Sequence, residues 1–278
     1  MPELPEVETM VRGIHTDCVG RRIERTSFPP CSCRPIQIRP GRRTLITKTE
    51  GRTITDIRRL AKRIVLELDS GNQIVVEPRM TGLMLITDPP TREHRRICFD
   101  FSPARKKASS LEFWDRRGLG TISLLSPQQM LQLESRLGKD ALNLSVEDWI
   151  SILARTAREI KVLLLDQSRV AGIGNLYASE ILHEAGISPF REASSLSGRQ
   201  IQKLANATHR ILHEAISYEG STLSDGTYRN ALNQDGGYQN QHQVYQRADT
   251  LCSSCGKAPI QRAVQAQRAT FYCPRCQR

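Results

Sequence analysis

No apolar run in this chain of 278 residues approaches the roughly 18 that a membrane-crossing helix requires. A basic amphipathic helix of the kind that lies on a membrane surface is also missing. Acid is short: 29 Asp and Glu face 40 Lys and Arg, a formal charge of +11. An excess of that size favours a polyanionic partner, and with a membrane surface set aside the expected one is nucleic acid. The N-terminus has none of the charged-then-apolar layout of a secretory signal. The expectation is therefore a chain in a reducing cytoplasm, where structural disulfides are rare. Of the eight cysteines, Cys18, Cys31, Cys33 and Cys98 are scattered; Cys31-x-Cys33 is too tight for a common zinc pair, and all four read as ordinary thiols.

What is present begins with Met1-Pro2-Glu3-Leu4-Pro5-Glu6-Val7-Glu8. Pro5 followed by Glu6 and Glu8 is a helix start, with proline in the first turn and acids complementing the N-terminal dipole. The helix should run from Leu4 to about Val19 on the stripe Val7, Met10, Val11, Ile14. Proline at position two also favours trimming of Met1, which leaves a secondary amine beside the Glu3 carboxylate. Such an amine can attack a carbonyl-like carbon and form an iminium.

From about Arg21 to Leu125 the pattern changes to short alternating runs. Strands are expected at 64–68, 73–76, 83–86, 97–101 and 111–114, with a hairpin turn at Asp69-Ser70-Gly71-Asn72 and a loop-rich stretch from Pro29 to Arg52. Strands so spaced predict a β-sandwich or barrel-like domain. After Ser126-Pro127 the chain turns helical to about Tyr218. There an apolar helix from Ile160, a turn with Gly172 and Gly174, and a second helix capped by Asn175 offer free N–H groups to a phosphate. The stretch 220–245 is polar and glycine-rich, the composition of a mobile loop.

Cys252-x2-Cys255 and Cys273-x2-Cys276, seventeen residues apart, are two hooks of four thiolates spaced for one tetrahedral zinc. The site is structural, because no position is left open for water.

PELPEVET, the run from Ile160 to Pro189 and the cysteine hooks resemble the formamidopyrimidine-DNA glycosylase family, and the likeness touches nearly the whole chain. The resemblance implies an α+β protein: an N-terminal helix with a β-sandwich (1–125), a helical helix–two-turn–helix domain with a lesion-covering loop (126–245) and a zinc ribbon (246–278). It implies a bifunctional glycosylase and abasic-site lyase, monomeric and nucleoid-associated, that excises oxidised purines from duplex DNA. Pro2 is then the nucleophile, Glu3 the proton-transfer group, and Lys62 a phosphate and proton-transfer residue, with Arg268 at the backbone beside the lesion. Met80 is the wedge that fills the gap left by the extruded base, Arg117 the partner of the orphaned cytosine, and Leu119 stands where the family carries phenylalanine. Lys161 and Asn175 are carried over as phosphate contacts and Glu180 as an acid near the base pocket. Two other readings are an endonuclease VIII-like enzyme for oxidised pyrimidines and a non-catalytic protein that binds damaged DNA. Pro2, Glu3 and Lys62 together argue against the second, since a pure binder has no need of them.

Overall fold

The computed structural model of the chain describes residues 2–105, 107–154, 156–224 and 226–278; Met1, whose removal would free the Pro2 amine, lies outside them. The chain divides into two compact units. One comprises Met1–Ser135 with Tyr218–Gln239, the other Arg136–Ser217 with Asn240–Arg278.

In the first unit, helix α1 (Leu4–Cys18) buries Leu4, Val7, Met10 and Ile14 completely, as the stripe predicts. Full burial of such a side chain is worth on the order of 1.5–3 kcal/mol. There follow β1 (Ile23–Ser27), β2 (Gln37–Arg39), α2 (Arg42–Thr49), β3 (Ile54–Leu60), β4 (Arg63–Leu68), β5 (Gln73–Glu77), β6 (Gly82–Leu85), β7 (Arg95–Phe101), β8 (Ser110–Asp115), β9 (Thr121–Leu125) and α3 (Pro127–Glu134). They form a four-stranded sheet in the order β1-β7-β8-β6 and a five-stranded sheet in the order β2-β9-β5-β4-β3. All pairs are antiparallel except β2 with β9.

Ile64, Leu66, Ile74 and Val76 from one sheet and Leu83, Ile97, Phe99 and Phe113 from the other share a core with α1. The opposite face of β4 and β5 is covered as well, where Val65 and Val75 meet Met130 of α3. This double burial explains the unbroken apolar run in β4, since a strand covered on both faces has no polar side to show.

All five expected strands are present. Three features of this half differ from the reading above. The loop-rich stretch contains α2, which buries only Leu45 and Thr49 and so carries almost no periodic signal. Arg58 and Arg59 lie within β3, a strand that is not among the five expected. The third concerns the polar loop, part of which returns to this core: Tyr228 and Ala231 are 3% and 1% exposed. Tyr228 Oη donates to the Glu219 carbonyl at 3.0 Å, and the Ala231 carbonyl accepts from Ile86 N at 3.1 Å.

The second unit contains the paired β10 (Lys139–Asp140) and β11 (Val170–Ala171), the helices α4 (Val146–Leu153), α5 (Ile160–Leu164), α6 (Asn175–Ala185) and α7 (Gly198–Ser217), and the hairpin of β12 (Gln261–Gln265) with β13 (Arg268–Tyr272). Trp149, Tyr177, Ile181 and Leu212 are fully buried in it.

Candidate functional site

The head of α1 is rigid. Pro2 is buried and Glu3 is 3% exposed. Glu3 N donates to Glu6 Oε2 at 2.9 Å, so the helix cap fixes the residue next to Pro2. Glu6 is itself buried, and its other oxygen accepts from Ser221 N at 2.9 Å. One carboxylate thus joins the start of the chain to the start of the returning loop.

Lys62 occupies the two-residue turn between β3 and β4, after Ala61 at φ 55°. That turn is held against α1 through Arg59, whose Nε meets Glu8 Oε2 at 2.8 Å and whose Nη1 donates to the Ala61 carbonyl at 3.1 Å. Burial raises the Glu8 carboxyl, but the Arg59 and Arg12 guanidiniums outweigh it and hold the group below its ordinary 4.5. Much of the basic cluster around Lys62 is internally paired. Arg58 meets Glu67 and Glu134, each at 2.8 Å, and Arg63 meets Glu77 at 3.6 Å.

Met80 and Leu119 come from different loops and line one pocket of about 570 Å³ together with Arg34, Pro35, Arg79 and Gly118. The organiser is Asp115, which is fully buried at the end of β8. Its carboxylate accepts from the Thr81 hydroxyl, from Arg117 N at 3.2 Å and from Gly120 N at 2.8 Å. The residues flanking Met80 and Leu119 are therefore tied to a single group, while the Arg117 side chain stays exposed. Gly118 has φ +62°, and a Cβ there would lie 2.1 Å from the Arg34 carbonyl oxygen, so only glycine lets the loop close. The strand pattern before Asp115 does not single it out in the sequence; an Asp ahead of a Gly-containing loop is the signal it leaves.

The remaining site residues lie in the second unit. Lys161 of α5 has no exposed surface; its Nζ donates to Asn175 Oδ1 at 2.7 Å, Thr270 Oγ1 at 2.8 Å and the Ala269 carbonyl at 3.3 Å. Asn175 is the first residue of α6 and the cap position is Gly174. The Asn175 amide instead donates to the Ala269 carbonyl at 2.9 Å. Arg268 opens β13 directly after the turn residues Ala266 and Gln267, both at positive φ, and it is exposed. Lys161 and Asn175 therefore brace the strand that carries Arg268. Thr270, whose hydroxyl completes that brace, had no signal in the sequence pattern.

Glu180, 1% exposed within α6, accepts from Gln243 N at 2.9 Å, Val244 N at 3.1 Å and Tyr245 N at 2.7 Å. Burial pushes its carboxyl up from the ordinary range against the pull of those three N–H groups. This anchors the chain leading into the cysteine hairpin.

The four thiols of Cys252, Cys255, Cys273 and Cys276 lie within 4.8 Å of one another, the one such cluster among the described residues. The Cys252–Cys276 and Cys255–Cys273 sulfurs are each 3.8 Å apart. A tetrahedral zinc with Zn–S bonds of about 2.3 Å places its sulfurs about 3.8 Å apart, so the donor set and its spacing fit one structural zinc. His183 Nε2 stands 3.5 Å from Cys252 Sγ, outside the four ligands.

A two-sheet sandwich headed by a buried Pro-Glu pair, a helix–two-turn–helix unit and a four-cysteine hairpin define a class of zinc-finger DNA-binding proteins. Comparison with known proteins specifies the class further. The chain matches the formamidopyrimidine-DNA glycosylase N-terminal domain over residues 1–122, the H2TH domain of the same enzymes over 137–227 and the zinc finger found in FPG and IleRS over 247–278. It is 37% identical to a formamidopyrimidine-DNA glycosylase of Solibacter usitatus, with all of both chains covered. Among solved structures, Lactococcus lactis Fpg bound to a FAPY-dG containing DNA is 31% identical, with a TM-score of 0.85 over 99% of this chain and 100% of that one. The same protein bound to an abasic site containing DNA aligns at 31% identity with a TM-score of 0.86, covering 99% of each chain. The chain belongs to the formamidopyrimidine-DNA glycosylase family.

Proposed function

We propose that the protein is a bifunctional DNA glycosylase and abasic-site lyase that removes oxidised purines from duplex DNA. The observation that carries the reading is the head of α1. Pro2 and Glu3 sit buried on a capped helix, fixed in place by Glu6, in a chain whose family acts on formamidopyrimidine lesions. Once Met1 is removed, the Pro2 amine attacks C1′ of the damaged nucleotide and the base departs. Glu3 assists by proton transfer to the sugar, help typically worth about 10²–10⁴ in rate. The resulting Schiff base makes the 2′ proton acidic, and β- then δ-elimination cuts the strand on both sides. The sugar carbon is unreachable in a stacked duplex, so the nucleotide must be extruded.

Met80 and Leu119 fill the vacated space from their common pocket, since an apolar wedge offsets part of an unstacking cost of a few kcal/mol. Arg117 addresses the orphaned base. Lys62, Asn175 and Arg268 take flanking phosphates, Lys161 acts by holding Asn175 and β13 in register, and Glu180 acts by fixing Gln243–Tyr245. Zinc keeps the hairpin folded and takes no part in the chemistry.

Borohydride added to the protein with lesion-containing duplex should trap a covalent adduct at Pro2. Failure to trap an adduct with any of the lesions would sink the enzymatic reading. The alternative is an enzyme for oxidised pyrimidines; Leu119 weakens the preference for purines, because leucine keeps the wedge but lacks phenylalanine's stacking face. Excision rates on duplexes carrying 8-oxoguanine, formamidopyrimidine or oxidised thymine distinguish the two, and the purine lesions should be cut fastest.

A further inference from the structure

Cys31 and Cys33, outside every role above, form a built cluster in the first unit. Arg96 of β7 is 5% exposed, and its Nη1 donates to Cys31 Sγ at 2.9 Å and to the Arg34 carbonyl at 2.9 Å, while Nε donates to the Asp115 carbonyl at 2.8 Å. Its Nη2 is buried with no hydrogen-bond partner, and none of its contacts among the described residues is a carboxylate. The sulfur of Cys31 is the one side-chain acceptor that this buried guanidinium meets among the described residues. The two thiols are two residues apart in the chain, and both are half-exposed. Desolvation and then the neighbouring Cys31 push the Cys33 thiol up, so it retains its proton. His94 Nδ1 stands 3.5 Å from Cys33 Sγ, and its Nε2 faces Glu93 at 3.3 Å, which favours the tautomer whose Nδ1 accepts. A guanidinium against Cys31 disfavours a bound metal cation and favours thiolate chemistry.

We propose that Cys31 and Cys33 are a thiol-oxidation site that peroxides convert to an internal disulfide, and that this change loosens the loops carrying Met80 and Leu119. The Cys31 thiolate attacks a peroxide oxygen and becomes a sulfenic acid as the O–O bond breaks, releasing alkoxide or hydroxide that is then protonated. Cys33 attacks that sulfur, its proton passes through His94 to the departing hydroxide, and water leaves. The two sulfurs are oxidised and the peroxide is reduced. The disulfide takes the Cys31 sulfur from Arg96, the group that also donates to the Arg34 carbonyl and to the Asp115 carbonyl. That consequence rests on the DNA-binding reading; the thiol chemistry does not.

Full-length zinc-loaded protein treated with limiting hydrogen peroxide should yield a peptide containing Cys31 and Cys33 that has lost two hydrogens. Dithiothreitol should restore it with zinc retained throughout, and oxidised protein should bind lesion duplex about fivefold more weakly. Reduced C33S should bind as the wild type does and, on oxidation, give a sulfenic acid on Cys31 that dimedone labels; C31S should give neither product. Oxidation of Cys252 or Cys273 while Cys31 and Cys33 stay reduced overturns the proposal. A 31–33 disulfide with unchanged affinity overturns the coupling to the loops. Reduced protein that binds no duplex overturns the functional reading instead, with the disulfide map still deciding the chemistry.

Discussion

At the scale of single residues, the fully buried carboxylate of Asp115 does the most with the fewest atoms, since three donors on two loops converge on it. Asp115→Ala leaves Arg117 N and Gly120 N without their acceptor, and a buried unsatisfied donor costs about 1–3 kcal/mol. Urea unfolding should show a loss of about 2–3 kcal/mol, with Asp115→Asn recovering part of it. Glu8 sets an acid limit. Its folded carboxyl lies below the ordinary 4.5, so its contribution is complete above that value and disappears as pH falls through the lower folded one. Glu8→Gln should therefore lower Tm at neutral pH, and thermal scans should show the gap to the wild type closing as pH falls below 4.5. Neither residue announces itself in the sequence. Asp115 and Glu8 are ordinary acids until tertiary structure brings Thr81 or Arg59 to them.

At the scale of elements, legibility followed periodicity. Helix α1 and strands β4 to β8 bury one face or both and could be read from apolar spacing; the cysteine hooks could be read from metal geometry. Strand β3 was hidden because Arg58 and Arg59 occupy it, and their charges are satisfied by Glu67, Glu134 and Glu8, partners that no local pattern reveals. Helix α2 was hidden because it buries two residues only. The hairpin of β12 and β13 has two supports, zinc and the buried ammonium of Lys161. Lys161→Met removes the donor to Asn175, Ala269 and Thr270, and should destabilise the second unit by about 2–3 kcal/mol. Hydrogen exchange should speed up first in β13 and at the start of α6, while metal analysis still finds one zinc per chain.

At the scale of the whole molecule, a charge of +11 predicts binding dominated by released counterions. The slope of log K against log salt on undamaged duplex should be steep, about −0.9 for each phosphate neutralised. Filter or anisotropy binding across a salt series measures it, and a flat response would contradict the electrostatic reading. The sequence order of the first unit carries a different kind of consequence. Its core includes Tyr228 and Ala231, which are made only after the intervening Arg136–Ser217 of the other unit. During synthesis the sandwich must wait, its seats for Tyr228 and Ala231 unfilled, while 82 residues are added, which takes several seconds at roughly 5–20 residues per second. The unit that begins the chain is therefore the one the ribosome cannot finish early, and Glu6, placed near the very start, does not receive Ser221 until most of the protein has been made.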